Sequence, residues 1–292
     1  MDYVPYFRSE ARAFEVAVRR AAEEDGAPLV PSCPDWTVTD LIAHLSGVHR
    51  TVIHIVRERL SQPPDVAAPE FLADLPPERT EWPASLEDAP HFGPVPVSLI
   101  DWFGGGAAVL ESLFTTRDLS EEVWTFGRDR SIGFWLLTQT IETAVHRWDA
   151  EGAIGTPRPM PTGLATAAVG HTFEVMAPAR RQWLGAPPGA GERFGFRQSD
   201  GPGRWTVCFE GDEIRLAGGP HCLGGTSQAP DATDATDATD ACDACDACDV
   251  ELTGTASDLM LFLWQRVPAE RLDAVAGDRA MVDRYFTLVP PR

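Results

Sequence analysis

Lysine is absent from this 292-residue chain: all 24 of its Lys-or-Arg positions are arginine, set against 44 aspartates and glutamates. The formal net charge of −20 argues against nucleic acid as a partner, because binding a phosphate backbone needs a cationic surface. Without lysine, the run Gly104, Gly105 and Gly106 is a poor phosphate loop, which also needs a strand before it. No stretch of twenty consecutive apolar residues occurs. The N-terminus MDYVPYFRSEARAFEVAVRR has neither the basic start nor the continuous apolar core of a signal peptide, so the expectation is a cytoplasmic protein with no membrane partner. Cysteine is sparse: Cys33, Cys208 and Cys222 are scattered, and Cys242, Cys245 and Cys248 share one repeat. A reducing compartment accounts for all six without disulfides.

That repeat, DATDATDATDACDACDACD from Asp231 to Asp249, holds seven of the aspartates, and the rest of the chain is still clearly acidic. Small polar residues of one charge bury too little apolar surface to offset the entropy of ordering, so it reads as a disordered insertion at 231–249. Its C-x-x-C-x-x-C spacing also begins a bacterial ferredoxin motif. The fourth cysteine and its proline are missing, however, and the cysteines continue the threonine register of the preceding triplets.

Hydrophobic periodicity predicts helices over about Ser9–Glu24, from Thr37 onward, Val97–Thr116, Ser131–Glu151 and Thr162–Leu184. The second is the best marked. Thr37 caps it with Asp40 at the third helical position, Pro34 bars helix upstream, and Trp36 is placed to staple against Leu41. Residues 61–96 are rich in proline and glutamate and read as a long loop that can cover a site; His91 within it reads as a surface histidine. The three glycines after Phe103 either allow close helix packing or open backbone to a ligand. After Gly185 the texture changes. FGFRQSD, RWTVCFE, EIRLAGG and DVELTGT read as short strands, with helices over Ala256–Arg266 and Asp278–Phe286. The whole is α+β, in two domains: a helical one over 1–188 and a small α+β one over 189–292.

Chemistry concentrates in two places. Glu142 and His146 are four residues apart and so project from one face of a helix, where they can share an ion. Such a pair is commonplace by itself, but Ile141, Ala144, Val145 and Trp148 surround it with apolar side chains, and buried polar groups demand partners. His44, with Leu41 and Leu45 nearby on the second helix, is the candidate third ligand. His49 and His54 are rivals, placed by their spacing and by Arg50, Arg57 and Arg59 on the wetter side. Two imidazoles and a carboxylate suit zinc or a similar ion and leave a coordination position open. Asp149, three residues after His146, is placed either to hydrogen-bond the imidazole or to pair with Arg147 or Arg180. His171 reads as structural.

VPSCPDWTVTDLIAHLSGVH, from Val30 to His49, and ETAVHRWDAE, from Glu142 to Glu151, resemble the mycothiol-dependent maleylpyruvate isomerase family; so does TGTASDLMLFLWQRVPAERLDAVAGD, from Thr253 to Asp278. The resemblance implies a DinB-like metal-binding four-helix bundle followed by a small C-terminal α+β domain. It implies His44, Glu142 and His146 as ligands of a divalent metal, zinc by preference, and mycothiol as thiol cosubstrate. It also implies Arg266 as a catalytic residue that clamps anionic groups, although the family places glycine before that arginine and this chain has Gln265. A cation at such a site stabilises a bound thiolate, which favours thiol S-transfer or cis–trans isomerisation of a small electrophile. A hydrolase using metal-activated water, with Asp149 or Glu151 as acid or base, and a non-catalytic binding module are the alternatives. A monomer or weak oligomer is expected.

Overall fold

The computed structural model describes residues 1–65, 75–76, 79, 81–218 and 248–290. Apart from Cys248 and Asp249, the Asp/Ala repeat lies outside the described residues. The chain divides into two units, Met1–Met160 and Pro161–Arg292. The division thus falls at 160/161 rather than 188/189, because the helical segment beginning at Thr162 packs on the helix Ala256–Leu263 of the second unit.

Among the described residues the first unit is built on four α-helices: α1 (Val4–Ala21), α2 (Val38–Glu58), α3 (Val97–Thr116) and α4 (Ile132–Ile154). α1 starts a turn earlier than its periodicity indicates, since Pro5 is tolerated in a first turn and Asp2 accepts a hydrogen bond from the Val4 amide at 3.0 Å. α2 begins as its sequence signals. The Asp40 carboxylate accepts from the Thr37 amide at 2.9 Å and the Thr37 hydroxyl at 2.8 Å. Ser131 caps α4 by accepting from the Phe134 amide at 3.2 Å. Phe14, Val18, Leu41, Leu45, Leu99, Ile100 and Phe103 are buried together where α1, α2 and α3 meet.

α3 is long and apolar enough, by length and composition, to cross a membrane, but its Leu99, Phe103, Leu110 and Phe114 are buried against α1 and α2. Its glycines serve packing. A Cβ at Gly106 would lie 3.2 Å from Arg50 Nε, and Arg50 stretches over the Trp102 ring at 4.9 Å and donates to the Trp102 carbonyl at 3.1 Å. α4 is the central helix, buried on nearly every side. It carries an interior charge network: Arg147, 2 % exposed, donates to Glu10 of α1 at 2.7 Å and to Glu151 at 2.9 Å. Between α1 and α2 lies a hairpin that periodicity does not show, β1 (Leu29–Val30) and β2 (Cys33–Thr37), closed by Pro31 and Ser32.

The loop before α3 is anchored, and His91 is not the partnerless surface histidine its sequence context indicates. Its amide donates to Asp40 at 3.0 Å, its Nδ1 lies 2.5 Å from the same carboxylate, and its carbonyl lies 2.8 Å from the Thr37 hydroxyl, whose one proton it shares with Asp40.

In the second unit, α5 (Thr162–His171) runs through a π-turn (Thr172–Met176) into α6 (Ala177–Leu184). Pro178 has no amide hydrogen to continue an α-helical ladder there. β3 (Gly189–Gln198), β4 (Arg204–Gly211), β5 (Glu213–Gly218), β6 (Val250–Gly254) and β7 (Ala274–Gly277) form one sheet in the order β5-β4-β3-β6-β7, parallel only between β3 and β6. α7 (Ala256–Leu263) follows β6, and α8 (Ala280–Leu288) lays Tyr285 edge-on to Phe194, Phe196 and Phe209 of the sheet. β7 has no counterpart in the periodicity, being four small or exposed residues.

Candidate metal centre

The bundle brings together the three expected ligands from two helices 98 positions apart in sequence. His44 Nε2 lies 3.3 Å from Glu142 Oε1, and His146 Nε2 lies 3.4 Å from the same oxygen. One ligand atom from each residue falls within 4.8 Å of the others, and the imidazole rings stand nearly edge-on at 5.1 Å between centroids. Two metal–ligand bonds of about 2.0–2.1 Å at a tetrahedral angle set their ligand atoms about 3.3 Å apart. The two histidine–carboxylate separations are therefore close to those of ligands sharing one ion. His44 is the more open ligand, with 26 % of its side chain exposed against 5 % for His146, so the cluster has a buried side and an accessible side.

Electrostatics agree with a cation. Burial works to raise the Glu142 pKa, but hydrogen bonds and charge from His146 and His44 hold it well below the usual carboxylate range. Burial works to lower His146, and the carboxylates of Asp149 and Glu142 raise it instead. Glu142 thus stays an anion between two imidazoles, an arrangement that a divalent ion completes.

Neighbouring residues sort themselves by face. His49, expected on the wetter side, is fully buried: it stands between the Phe7 and Phe103 rings, with Nε2 3.1 Å from Thr143 Oγ1. Burial pushes its pKa down to about 3, so it stays neutral. Its five-residue offset from His44 carries it around α2 toward α1 and α3, both of which cover that side. Of the placements open to Asp149, the hydrogen bond to the imidazole is present. Asp149 is fully buried, 3.0 Å from His146 Nδ1, and accepts from the Ser32 hydroxyl at 2.6 Å. Trp36 stands with its ring 4.9 Å from that of His44. Sequence could indicate Asp149 through its spacing, but nothing local connects Ser32 or Cys33 to a helix 116 or more residues away.

Arg266 belongs to the second unit, just past α7, where its guanidinium donates to the Trp264 carbonyl at 3.0 Å. Gln265 before it has φ of +55°, the left-handed region that glycine occupies at no cost. The glycine common in the resembling family would suit that turn, and glutamine is held there under mild strain.

Residues 7–151 match the family model described as the mycothiol maleylpyruvate isomerase N-terminal domain. Among solved structures, the chain is similar to a mycothiol-dependent maleylpyruvate isomerase at TM-score 0.52 and 15 % identity, covering 94 % of this chain and 90 % of that one. It is also similar to a histidine-to-alanine mutant of such an isomerase at TM-score 0.55 and 14 % identity, covering 94 % and 91 %. No curated protein matches the chain at a significant level. At these identities the structural likeness speaks for the fold: a helical N-terminal domain joined to an α+β one. The matched segment spans nearly the whole first unit and includes His44, Glu142 and His146, and through it this chain belongs to the mycothiol maleylpyruvate isomerase family, a family of thiol-dependent enzymes.

Proposed function

We propose that the protein is a metal-dependent enzyme that uses a low-molecular-weight thiol, mycothiol, on a small electrophile, as a cis–trans isomerase of the maleylpyruvate type or an S-transferase. The observation that supports this reading is the convergence of His44, His146 and Glu142, with both imidazole Nε2 atoms 3.3–3.4 Å from one Glu142 oxygen, a separation that suits two ligands of one ion. A divalent ion, zinc by preference, would supply positive charge that favours the thiolate over the thiol at neutral pH. His44 and His146 would offer neutral nitrogens and Glu142 an anionic oxygen. The partly exposed His44 side would leave the approach for thiol and electrophile. Arg266 stays the candidate for binding carboxylates of the substrate or polar groups of the thiol, its planar donors being suited to both.

The test is to measure metal content of the purified chain and follow isomerisation and thioether formation with mycothiol and maleylpyruvate. About one divalent ion per chain is expected, and the triple substitution of His44, Glu142 and His146 by alanine should abolish both metal and turnover. Full occupancy in the triple variant would refute the ligand assignment. Undiminished turnover in thiol-free buffer would refute thiol chemistry. Arg266→Ala should keep the metal and raise KM for anionic substrate by about ten- to a hundredfold, the scale of one charge-assisted hydrogen bond; unchanged kinetics would remove Arg266 from the proposal.

A further inference from the structure

The two nitrogens of His146 face different surroundings. Nε2 points to Glu142, 3.4 Å away, while Nδ1 points to Asp149, 3.0 Å away. Asp149 lies one helical turn along α4 and is fully buried, so its carboxylate needs donors from the protein. One oxygen takes the imidazole; the other accepts from Ser32 at 2.6 Å. Ser32 sits in the two-residue turn between β1 and β2, where Val30 pairs with Cys33. Cys33 also approaches this carboxylate, Sγ being 3.9 Å from Oδ2, which puts the thiol behind the His146 ring rather than on its ligand side. Farther along, the same hairpin sets Trp36 against His44.

We infer that Ser32 and Asp149 form a positioning pair that fixes His146 in the tautomer and orientation able to ligate a metal. An ionised carboxylate only accepts hydrogen bonds, so His146 Nδ1 donates to Asp149, and Nε2, facing Glu142, is the nitrogen whose lone pair an ion would take in place of a proton. The negative charge makes the imidazole a stronger donor to a cation, and the Ser32 hydroxyl holds the carboxylate in the plane that meets the ring. The hairpin, far from α4 in sequence, thereby becomes part of the metal centre without contributing a ligand. This inference rests on the metal-dependent reading above.

The experiment is zinc affinity of the purified full-length chain by chelator competition, together with the imidazole proton resonances of His146. Asp149→Asn keeps the shape and removes the charge; its amide can also turn its NH2 toward Nδ1 and drive the proton to Nε2, the wrong tautomer for ligation. Its zinc affinity should fall about ten- to a hundredfold, the usual effect of losing such a partner. Ser32→Ala should weaken zinc about tenfold, and Ser32→Thr, which restores the hydroxyl, should recover most of it. The hydrogen-bonded Nδ1 proton resonance should shift in Ser32→Ala and disappear or move to Nε2 in Asp149→Asn, which a purely structural role of the hairpin would not require. Wild-type zinc affinity in a folded Asp149→Asn, or equal loss in Ser32→Ala and Ser32→Thr, would overturn the positioning pair while leaving the metal reading intact. Failure of the wild-type chain itself to bind zinc would overturn both. If Asp149→Asn does not fold, the alanine–threonine comparison at Ser32 decides.

Discussion

His49 makes the stability of the metal-free protein fall with pH in a way that one substitution should isolate. The ring is fully buried between Phe7 and Phe103, and its Nδ1 has no hydrogen-bond partner among the described residues. Burial first, then charge at His146, Arg50 and His44, pushes its pKa down to about 3, against which Glu142 works only in part. In the unfolded chain the imidazole titrates near about 6.5. Between these values the unfolded state binds a proton that the folded state refuses, so stability is lost as pH falls below about 6.5. At about 1.4 kcal/mol per pH unit, lowering the pH from about 7 to about 5 costs about 2 kcal/mol through this one group. His49→Phe should abolish that loss. Phenylalanine suits an aromatic cage, removes a buried orphan nitrogen, and leaves the Thr143 hydroxyl to turn back to a helix carbonyl, a change of about 1 kcal/mol or less at neutral pH. The assay is urea unfolding of chelator-treated wild type and variant at pH 7, 6 and 5. Every other titratable group is common to both proteins, so the stability of wild type should fall below that of the variant toward acid. Parallel curves, with equal losses between pH 7 and 5, would refute the claim that His49 is held neutral by burial.

Arg147 predicts a comparable effect with a partial rescue. Glu10→Ala removes one of the two carboxylates that pair with a guanidinium 2 % exposed and should cost about 1.5–3 kcal/mol in urea unfolding, whereas a Glu10→Leu, Arg147→Met double variant should regain most of it. At Asp40, burial works to raise the carboxyl pKa, but donors from Thr37 and His91 hold it below the usual value. Its stabilisation should therefore be full above about pH 4 and disappear as pH falls through the lowered value, and Asp40→Ala should cost about 1–2 kcal/mol at neutral pH. In that variant, amide exchange at Thr37 and His91 should quicken together, since one carboxylate holds both amides; unchanged protection of His91 would show the loop is held by other contacts.

What the sequence disclosed was local. The cap at Thr37 and Asp40 spans three residues and the Glu142–His146 pair four, so a single helical turn determines each. β4 and β6 alternate in burial as their apolar residues do, and Phe194 and Phe196 of β3 are buried with Trp205, Val207 and Phe209 of β4. The hairpin of β1 and β2 was opaque because two residues are too few to show alternation and its second strand carries Pro34. The position of His49 was misread for a different reason. Arg50 next to it marks a wet face only if its guanidinium reaches water, and here that group lies over Trp102 in space left by Gly106. α2 is therefore covered over a wider arc than its apolar stripe indicates.

The choice at Asp149 lay within reach of helix geometry. Residues 147 and 149 are separated by about 200° around a helix, so Arg147 and Asp149 occupy opposite faces and cannot pair along α4. Residues 146 and 149 differ by about 60°, which puts the carboxylate beside the imidazole. Arg147 accordingly turns to Glu10 and Glu151, the latter one turn on, and Asp149 is left to His146. Angular arithmetic settles which residues share a face but not what the opposing element supplies. The hydroxyl of Ser32 and the ring of Trp36 come from the hairpin, and only the closed bundle brings them behind His146 and His44. A candidate ligand pair read from i,i+4 spacing thus gains weight when a third residue at i+3 from the histidine is a carboxylate, because that spacing sets the carboxylate beside the imidazole.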